Sequence, residues 1–95
     1  MLEKKIDRLI YAIMPALFNA GEKAPTDYNE VYKIITNGLQ VVKTIHELYV
    51  KNNAQYSIDN FICDFNAYCE HYNIPAYIMI DNVVLVRSIV QEIIK

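Results

Sequence analysis

Two cysteines and two histidines are the only side chains of this sequence that could act as soft metal ligands, namely Cys63, Cys69, His46 and His71. Zinc sites usually contain closely paired ligands, as in the spacing C-x₂-C. Cys63 and Cys69 would lie about 240° apart around a helix, so they could neither share one metal ion nor form a disulfide. Cys69 falls on an apolar stripe, where a free cysteine behaves as a small hydrophobic residue. The spacing therefore predicts no metal site and no cofactor.

A catalytic centre needs an acid, a base or an activated nucleophile held in a cluster. A Cys–His pair also needs a third group that orients the base, and no such group is evident for His46 or His71. Asp59, Asp64 and Glu70 lie on the polar side of their segment, where we interpret them as a solvated face. An acidic docking surface for a basic partner is the alternative interpretation. We predict that the protein is not an enzyme.

Tyrosine is unusually frequent, with eight tyrosines among 95 residues and no tryptophan. Tyrosine is enriched at protein interfaces because it combines a large apolar area with one polar group. Tyr11, Met14 and Phe18 are spaced three and four residues apart, so they form one apolar patch beside the main stripe of their segment. This patch is either buried under another helix or part of an interface.

The charged residues argue against a nucleic-acid surface. The chain has 9 basic and 11 acidic residues, a net charge of −2, and no run of like charge. Binding to phosphates requires a cluster of lysine and arginine, and Lys4, Lys5 and Arg8 form the only one. A dimeric DNA-binding regulator remains the alternative function, although the net negative charge of the chain does not support that function.

Length and composition predict a single helical domain over residues 1–95. The apolar share of 54% is slightly above the usual range for soluble domains. A chain of this length buries only about 60–65% of its unfolded surface. It therefore has more apolar residues than one small core can bury, which favours self-association or a protein partner. The first residues, MLEKKIDRLI, lack the uninterrupted apolar segment of a secretory signal. Free thiols are typical of the cytoplasm, which is the predicted location.

Hydrophobic periodicity predicts three amphipathic helices before the C-terminal stretch, at roughly 2–20, 27–52 and 58–72. Pro15 is expected to kink or break the first helix, because proline lacks a backbone N–H. Asp27 and Ser57 are suitable N-caps for the second and third helices. Gly38 falls near the apolar face of the second helix, which indicates close approach of another helix. Phe65 lies in the middle of the third apolar stripe and is predicted to be buried.

The C-terminal stretch is the most apolar part of the chain, and we predict a fourth helix there over residues 76–94. Its apolar residues form two stripes on a helix: Met79, Val83, Val86, Val90 and Ile93 on one, and Ile78, Leu85 and Ile89 on the other. Together the two stripes form an apolar arc of about 180° around the helix, whereas a surface helix needs an apolar arc of only about 100°. Such a helix is either central in a bundle or shared between subunits.

Two other structures are conceivable for this stretch. The segments YIMI and VVLV, separated by Asp81-Asn82, could form a β-hairpin, although the connection lacks the glycine that such turns favour. A membrane-spanning helix is disfavoured because Asp81 and Arg87 would each cost a few kcal/mol near the bilayer centre. The predicted fold is therefore an all-α four-helix bundle, with three helices and a C-terminal hairpin as the alternative.

The sequence predicts a small cytoplasmic protein-interaction module that is homo-oligomeric and also binds an unidentified protein partner. The second stripe of the C-terminal helix and the N-terminal patch are the predicted interface, because both carry apolar area beyond what one small core needs. The predicted interface residues are Ile78, Leu85, Ile89, Tyr11, Met14 and Phe18.

Overall fold

Helices account for the whole architecture of the computed structural model, which describes residues 1–95, and no strand is present. The helices are α1 (Leu2–Phe18), α2 (Tyr28–Lys51), α3 (Ile58–His71), α4 (Ala76–Asp81) and α5 (Val83–Ile93). The four longer helices form a bundle, and the short α4 precedes α5. The predicted all-α fold is confirmed, and the alternative with a C-terminal hairpin is wrong.

The starts of α2 and α3 follow from their capping residues. The Asp27 carboxylate accepts a hydrogen bond from the backbone N–H of Glu30 at 3.2 Å, and the Ser57 hydroxyl accepts one from Asn60 at 3.1 Å. Both bonds satisfy N–H groups that have no partner inside the first turn of a helix. The predicted caps are confirmed, and the observed bounds of both helices differ from the predicted ones by one residue or less.

Helix α1 continues through Pro15 as one α-helix, so the alternative in which Pro15 opens a separate piece does not occur. Pro15 cannot donate to the carbonyl of Tyr11, and both residues are exposed. The unpaired carbonyl therefore lies on the side of the helix that water reaches. The helix ends at Phe18, slightly before the predicted end, and Gly21 follows with φ at +106°, a value that glycine adopts easily.

The predicted helix over residues 76–94 is divided in two at Asn82. The side-chain amide of Asn82 donates to the carbonyl oxygen of Ile78 at 2.8 Å, while its backbone N–H turns to Met79 at 3.1 Å. The side chain thus takes the carbonyl that a continuous helix would use for the backbone. The Asn82 carbonyl then accepts from Val86 at 3.1 Å and starts α5.

Helix α5 is the central helix of the bundle, because its backbone approaches each of the other four, whereas the backbones of α1 and α3 do not come close to each other. The Lys5 ammonium lies 2.9 Å from a carboxylate oxygen of Glu92. This ion pair joins the start of α1 to the end of α5, so the two helices run antiparallel. The core contains only apolar side chains, and Phe65 and Cys69 are among them, as predicted.

Helices α2 and α3 approach each other closely at Gly38. A Cβ atom placed on Gly38 would lie 3.0 Å from a ring carbon of Phe65 and 3.0 Å from one of Tyr68. The absence of a side chain at Gly38 therefore allows the two aromatic rings to pack directly on the backbone of α2, which confirms the close helix–helix contact expected there.

Candidate functional site

The thiol and imidazole groups do not assemble into a cluster that could hold a metal ion. No three of the histidine, cysteine, aspartate and glutamate side chains lie close enough together to hold a metal ion. Cys63 is exposed, Cys69 is buried, and both are free thiols. Burial raises the pKa of the Cys69 thiol to about 12, and because the thiolate is the reactive form, Cys69 is chemically inert.

Two tyrosines of α2 tie that helix to α1 through their phenol groups. Tyr28 donates a short hydrogen bond to Asp7, and Tyr32 donates to both carboxylate oxygens of Glu3, at 3.1 and 3.2 Å. The hydrogen bond to Asp7 is the main reason that the pKa of Tyr28 rises to about 12. The bond to Glu3 likewise raises the pKa of Tyr32. These tyrosines serve the contact between α1 and α2.

The N-terminal part of the predicted interface is largely exposed. Tyr11 is 67% exposed and Phe18 is 63% exposed, while Met14 between them is partly buried against the core. The ring of Tyr11 also lies 5.8 Å from the ring of Tyr28, measured between centroids. Tyr11 and Phe18 therefore remain available for a partner, and Met14 contributes mainly to the packing of this chain.

The C-terminal part of the predicted interface lies inside the chain. Ile78 and Ile89 are each 1% exposed, and Leu85 is partly buried against the same core. The prediction that this stripe needs a second subunit is wrong for Ile78 and Ile89, because other helices of the same chain cover both side chains. Central packing accounts for the buried part of the wide apolar arc, whereas Val83 of the first stripe remains 37% exposed.

The largest exposed apolar surface of the C-terminal region is instead the junction of the last two helices, which we call the α4–α5 corner. It consists of Tyr77, Ile80, Val83 and Val84, of which Ile80 is 60% and Val84 78% exposed. Asp81 is the only charged residue within this segment. The two stripes predicted from the sequence do not include this corner, although Tyr77, Ile80 and Val84 have helical spacing and form a third apolar stripe in that stretch.

Phe18 lies at the same end of the bundle as the α4–α5 corner. The Lys5–Glu92 ion pair marks the opposite end of α1 and α5. Because the two helices are antiparallel, the end of α1 lies near the start of α5, and α1 also contacts α4. Phe18 and the corner thus belong to one end of the molecule, whereas Tyr11 lies near the middle of α1.

The other end of the molecule is dominated by the last part of α2 and the turn after it, residues 43–54, which we call the α2 end. Val42 is the last fully buried residue of α2, and beyond it Ile45 and Tyr49 are only partly buried against the core. The exposed side chains there include the large apolar residues Leu48 and Val50. Cavities flank this segment on several sides.

One of these cavities, of about 440 Å³, is bounded by an aromatic cluster. Tyr49 and Tyr56 stack with ring centroids 4.6 Å apart, and Phe61 meets Tyr56 edge-on at 4.8 Å. The phenol of Tyr56 donates to Asp64 at 3.0 Å, which is the main cause of its raised pKa. His46 lines the cavity and places its ring 5.8 Å from that of Phe61, edge to face.

A second cavity, of about 360 Å³, lies between the α2 end and the end of α5 and is rich in positive charge. It is lined by Lys43, His46, Glu47, Val50, Lys51, Ile93 and Lys95. The two ion pairs of the structure, Lys5–Glu92 and Arg87–Asp59, include none of these three lysines. His46 and Val50 line both this cavity and the aromatic one, so the two are neighbours.

The chain matches no protein-family model, no curated protein sequence and no solved structure. None of its helices combines the length and the apolar character that crossing a membrane requires.

Proposed function

We propose that this chain is a small protein-interaction module whose first partner is a second copy of itself, bound through the α4–α5 corner. The observation that supports this proposal most is the exposure of four large apolar side chains within eight consecutive residues, Tyr77, Ile80, Val83 and Val84. Contiguous apolar surface of this kind is typical of protein interaction sites. Binding of a further, different protein partner would use the assembled dimer.

The charge of the corner favours a second copy over a charged partner. Two-fold interfaces are isologous, which means that each patch meets the same patch of its partner. A patch rich in one sign of charge would repel itself, whereas Asp81 is the only charge within this one. A nearly neutral apolar patch is therefore suited to self-association.

A stable dimer interface needs more surface than the α4–α5 corner alone provides. A stable dimer buries about 800 Å² per partner, roughly an eighth of the 5958 Å² that this chain exposes. Phe18 is exposed at the same end of the bundle and can extend the apolar contact. We place the corner at the centre of the interface and Phe18 near its edge, in keeping with the apolar core and polar rim of typical interfaces.

The test is the oligomeric state of a double variant, Ile80→Glu with Val84→Lys. Both side chains are exposed, so the change should leave the helical content and the fold of each chain intact. Light scattering over a range of concentrations should show a dimer for the wild type and a monomer for this variant. A matched control, Leu48→Glu with Val50→Lys, changes exposed apolar residues at the other end and should remain dimeric. A monomeric wild type, or a variant with native mass, would contradict the proposal.

The proposal assigns this protein to the cytoplasm, which its two free thiols support. It includes no catalytic step and no nucleic-acid contact. In the only basic cluster of the sequence, Lys5 is already paired with Glu92, which leaves Lys4 and Arg8 as the two cations there for phosphate groups.

A further inference from the structure

We propose that the α2 end is a binding site for a small amphipathic anion, a molecule with one carboxylate or phosphate group on an apolar body. The two neighbouring cavities supply the two halves of such a site, and they lie at the end of α5 away from the α4–α5 corner. The site is thus independent of the proposed dimer. Pockets of about 300–1,000 Å³ between the helices of a bundle are common ligand sites.

The charge of the second cavity supports an anionic group. Lys43, Lys51 and Lys95 line it, and Glu47 is the only acidic side chain among its lining residues. None of the three ammonium groups is engaged in an ion pair. Glu92, whose pKa is lowered first by Lys5 and to a smaller extent by Lys95, is already paired with Lys5. The cavity therefore retains an excess of positive charge in a chain whose net charge is negative.

The C-terminus of α2 opposes an anion only weakly. The last carbonyls of a helix carry partial negative charge, because they have no partner within the helix. Here the turn after α2 supplies partners. Asn52 donates to Leu48 through its backbone at 3.1 Å, and Ala54 donates to Tyr49 at 2.8 Å. These bonds leave fewer free carbonyls at the end of α2, and Lys51 in the last turn offsets part of their negative charge.

The first cavity supplies the apolar half. Tyr49, Tyr56 and Phe61 pack into a fixed aromatic wall, and Val50 continues that wall towards the lysines, since it lines both cavities. Phe61 is itself buried, whereas Tyr49 and Tyr56 are half-buried and Val50 is 60% exposed, so an apolar body here would cover surface of these three side chains that is now exposed to water. His46 lies at the boundary and its imidazole makes no hydrogen bond within the chain, so an N–H of this ring is free to donate to the anionic group.

The experiment measures the binding of three probes to the purified chain by calorimetry. Decanoate carries both an apolar body and a charge, decanol carries the body alone, and acetate carries the charge alone. The proposal expects decanoate to bind one per chain and more tightly than either of the other probes. Equal affinity for decanoate and decanol, or no binding of decanoate below its micelle concentration, would overturn the proposal.

Two pairs of substitutions locate the site. Lys43→Gln with Lys51→Gln should weaken decanoate binding by at least about threefold, because each exposed charge contact contributes some tenths of a kcal/mol. Lys23→Gln with Lys33→Gln removes the same number of positive charges from outside the cavities and should leave the affinity for decanoate unchanged. If both pairs of substitutions weakened decanoate binding equally, the effect would come from the overall charge of the molecule, and the proposed site would be overturned.

A vesicle experiment distinguishes a free anion from a lipid surface. The chain is sedimented with vesicles of phosphatidylcholine alone and with vesicles that also contain phosphatidylserine. The proposal expects no co-sedimentation with either at concentrations where decanoate is bound. Binding that occurs only to the anionic vesicles, without binding of free decanoate, would overturn it.

Discussion

Gly38 is the single residue on which the contact between α2 and α3 most depends. A methyl group there would lie 3.0 Å from the rings of Phe65 and Tyr68, and Phe65 is fully buried and has no space to retreat. Overpacking costs about 1–3 kcal/mol, while alanine gains about 1 kcal/mol of helix propensity over glycine. We expect Gly38→Ala to lower the free energy of unfolding by about 1 kcal/mol in urea titrations.

The control for this substitution is Thr44→Ala on the same helix. Thr44 is exposed, so alanine gains propensity there without a new contact, and stability should stay equal or rise slightly. If Gly38→Ala stabilised the protein as much as Thr44→Ala did, the packing of the two rings on the α2 backbone would be looser than the structure indicates.

The Tyr28–Asp7 hydrogen bond makes a pH-dependent contribution to stability. The ordinary pKa of tyrosine is 10, and in the folded chain that of Tyr28 is about 12. The contribution is therefore complete below pH 10 and is lost as the pH rises through 12, because the folded chain retains a proton that the unfolded chain releases. We expect Tyr28→Phe to be less stable than the wild type at pH 8, and the difference between them to narrow between pH 10 and 12.

Tyr77→Phe is the control for this pH dependence, because Tyr77 is 56% exposed and its hydroxyl makes no hydrogen bond to a carboxylate. Chemical denaturation at several pH values should give parallel curves for Tyr77→Phe and the wild type. A constant difference between Tyr28→Phe and the wild type from pH 8 to 12 would contradict the assigned role of the Tyr28 phenol.

At the scale of helices, the sequence predicts the first three elements well because their ends carry local signals. Asp27 and Ser57 cap the starts of α2 and α3, and each cap acts within its own first turn. The break at Asn82 was not predicted, because the apolar spacing continues across it and gives no sign of interruption. The competition of the Asn82 side chain for the Ile78 carbonyl depends on geometry that periodicity does not contain.

The candidate sites were less predictable than the helices. The pattern shows which arcs of the C-terminal stretch are apolar, but it does not tell which neighbouring helix covers each arc. Ile89 and Val84 are both apolar and five residues apart, yet Ile89 is in the core and Val84 is at the surface. The α2 end could have been inferred from the predicted helix lengths, because α2 has 24 residues and α3 only 14. At 1.5 Å per residue, such a helix must extend beyond its neighbour.

At the scale of the whole molecule, the proposed surfaces lie at opposite ends, and only the α4–α5 corner is proposed to join two chains. A dimer that unfolds to two separate chains is stabilised by mass action, so its thermal midpoint depends on protein concentration. A monomer has no such dependence. The concentration dependence of the thermal midpoint therefore shows whether the chain dimerises, whichever residues form the interface.

We expect the thermal midpoint of the wild type to rise by roughly 3–5 °C for each tenfold increase in concentration, given the unfolding enthalpy of domains of this size. The Ile80→Glu, Val84→Lys variant should melt at one temperature throughout, equal to or below that of the dilute wild type. Calorimetry or circular dichroism at several concentrations measures both. A concentration-dependent midpoint that persists in the variant would mean that the chains associate elsewhere, whereas a constant midpoint in the wild type would mean that the corner is exposed on a monomer.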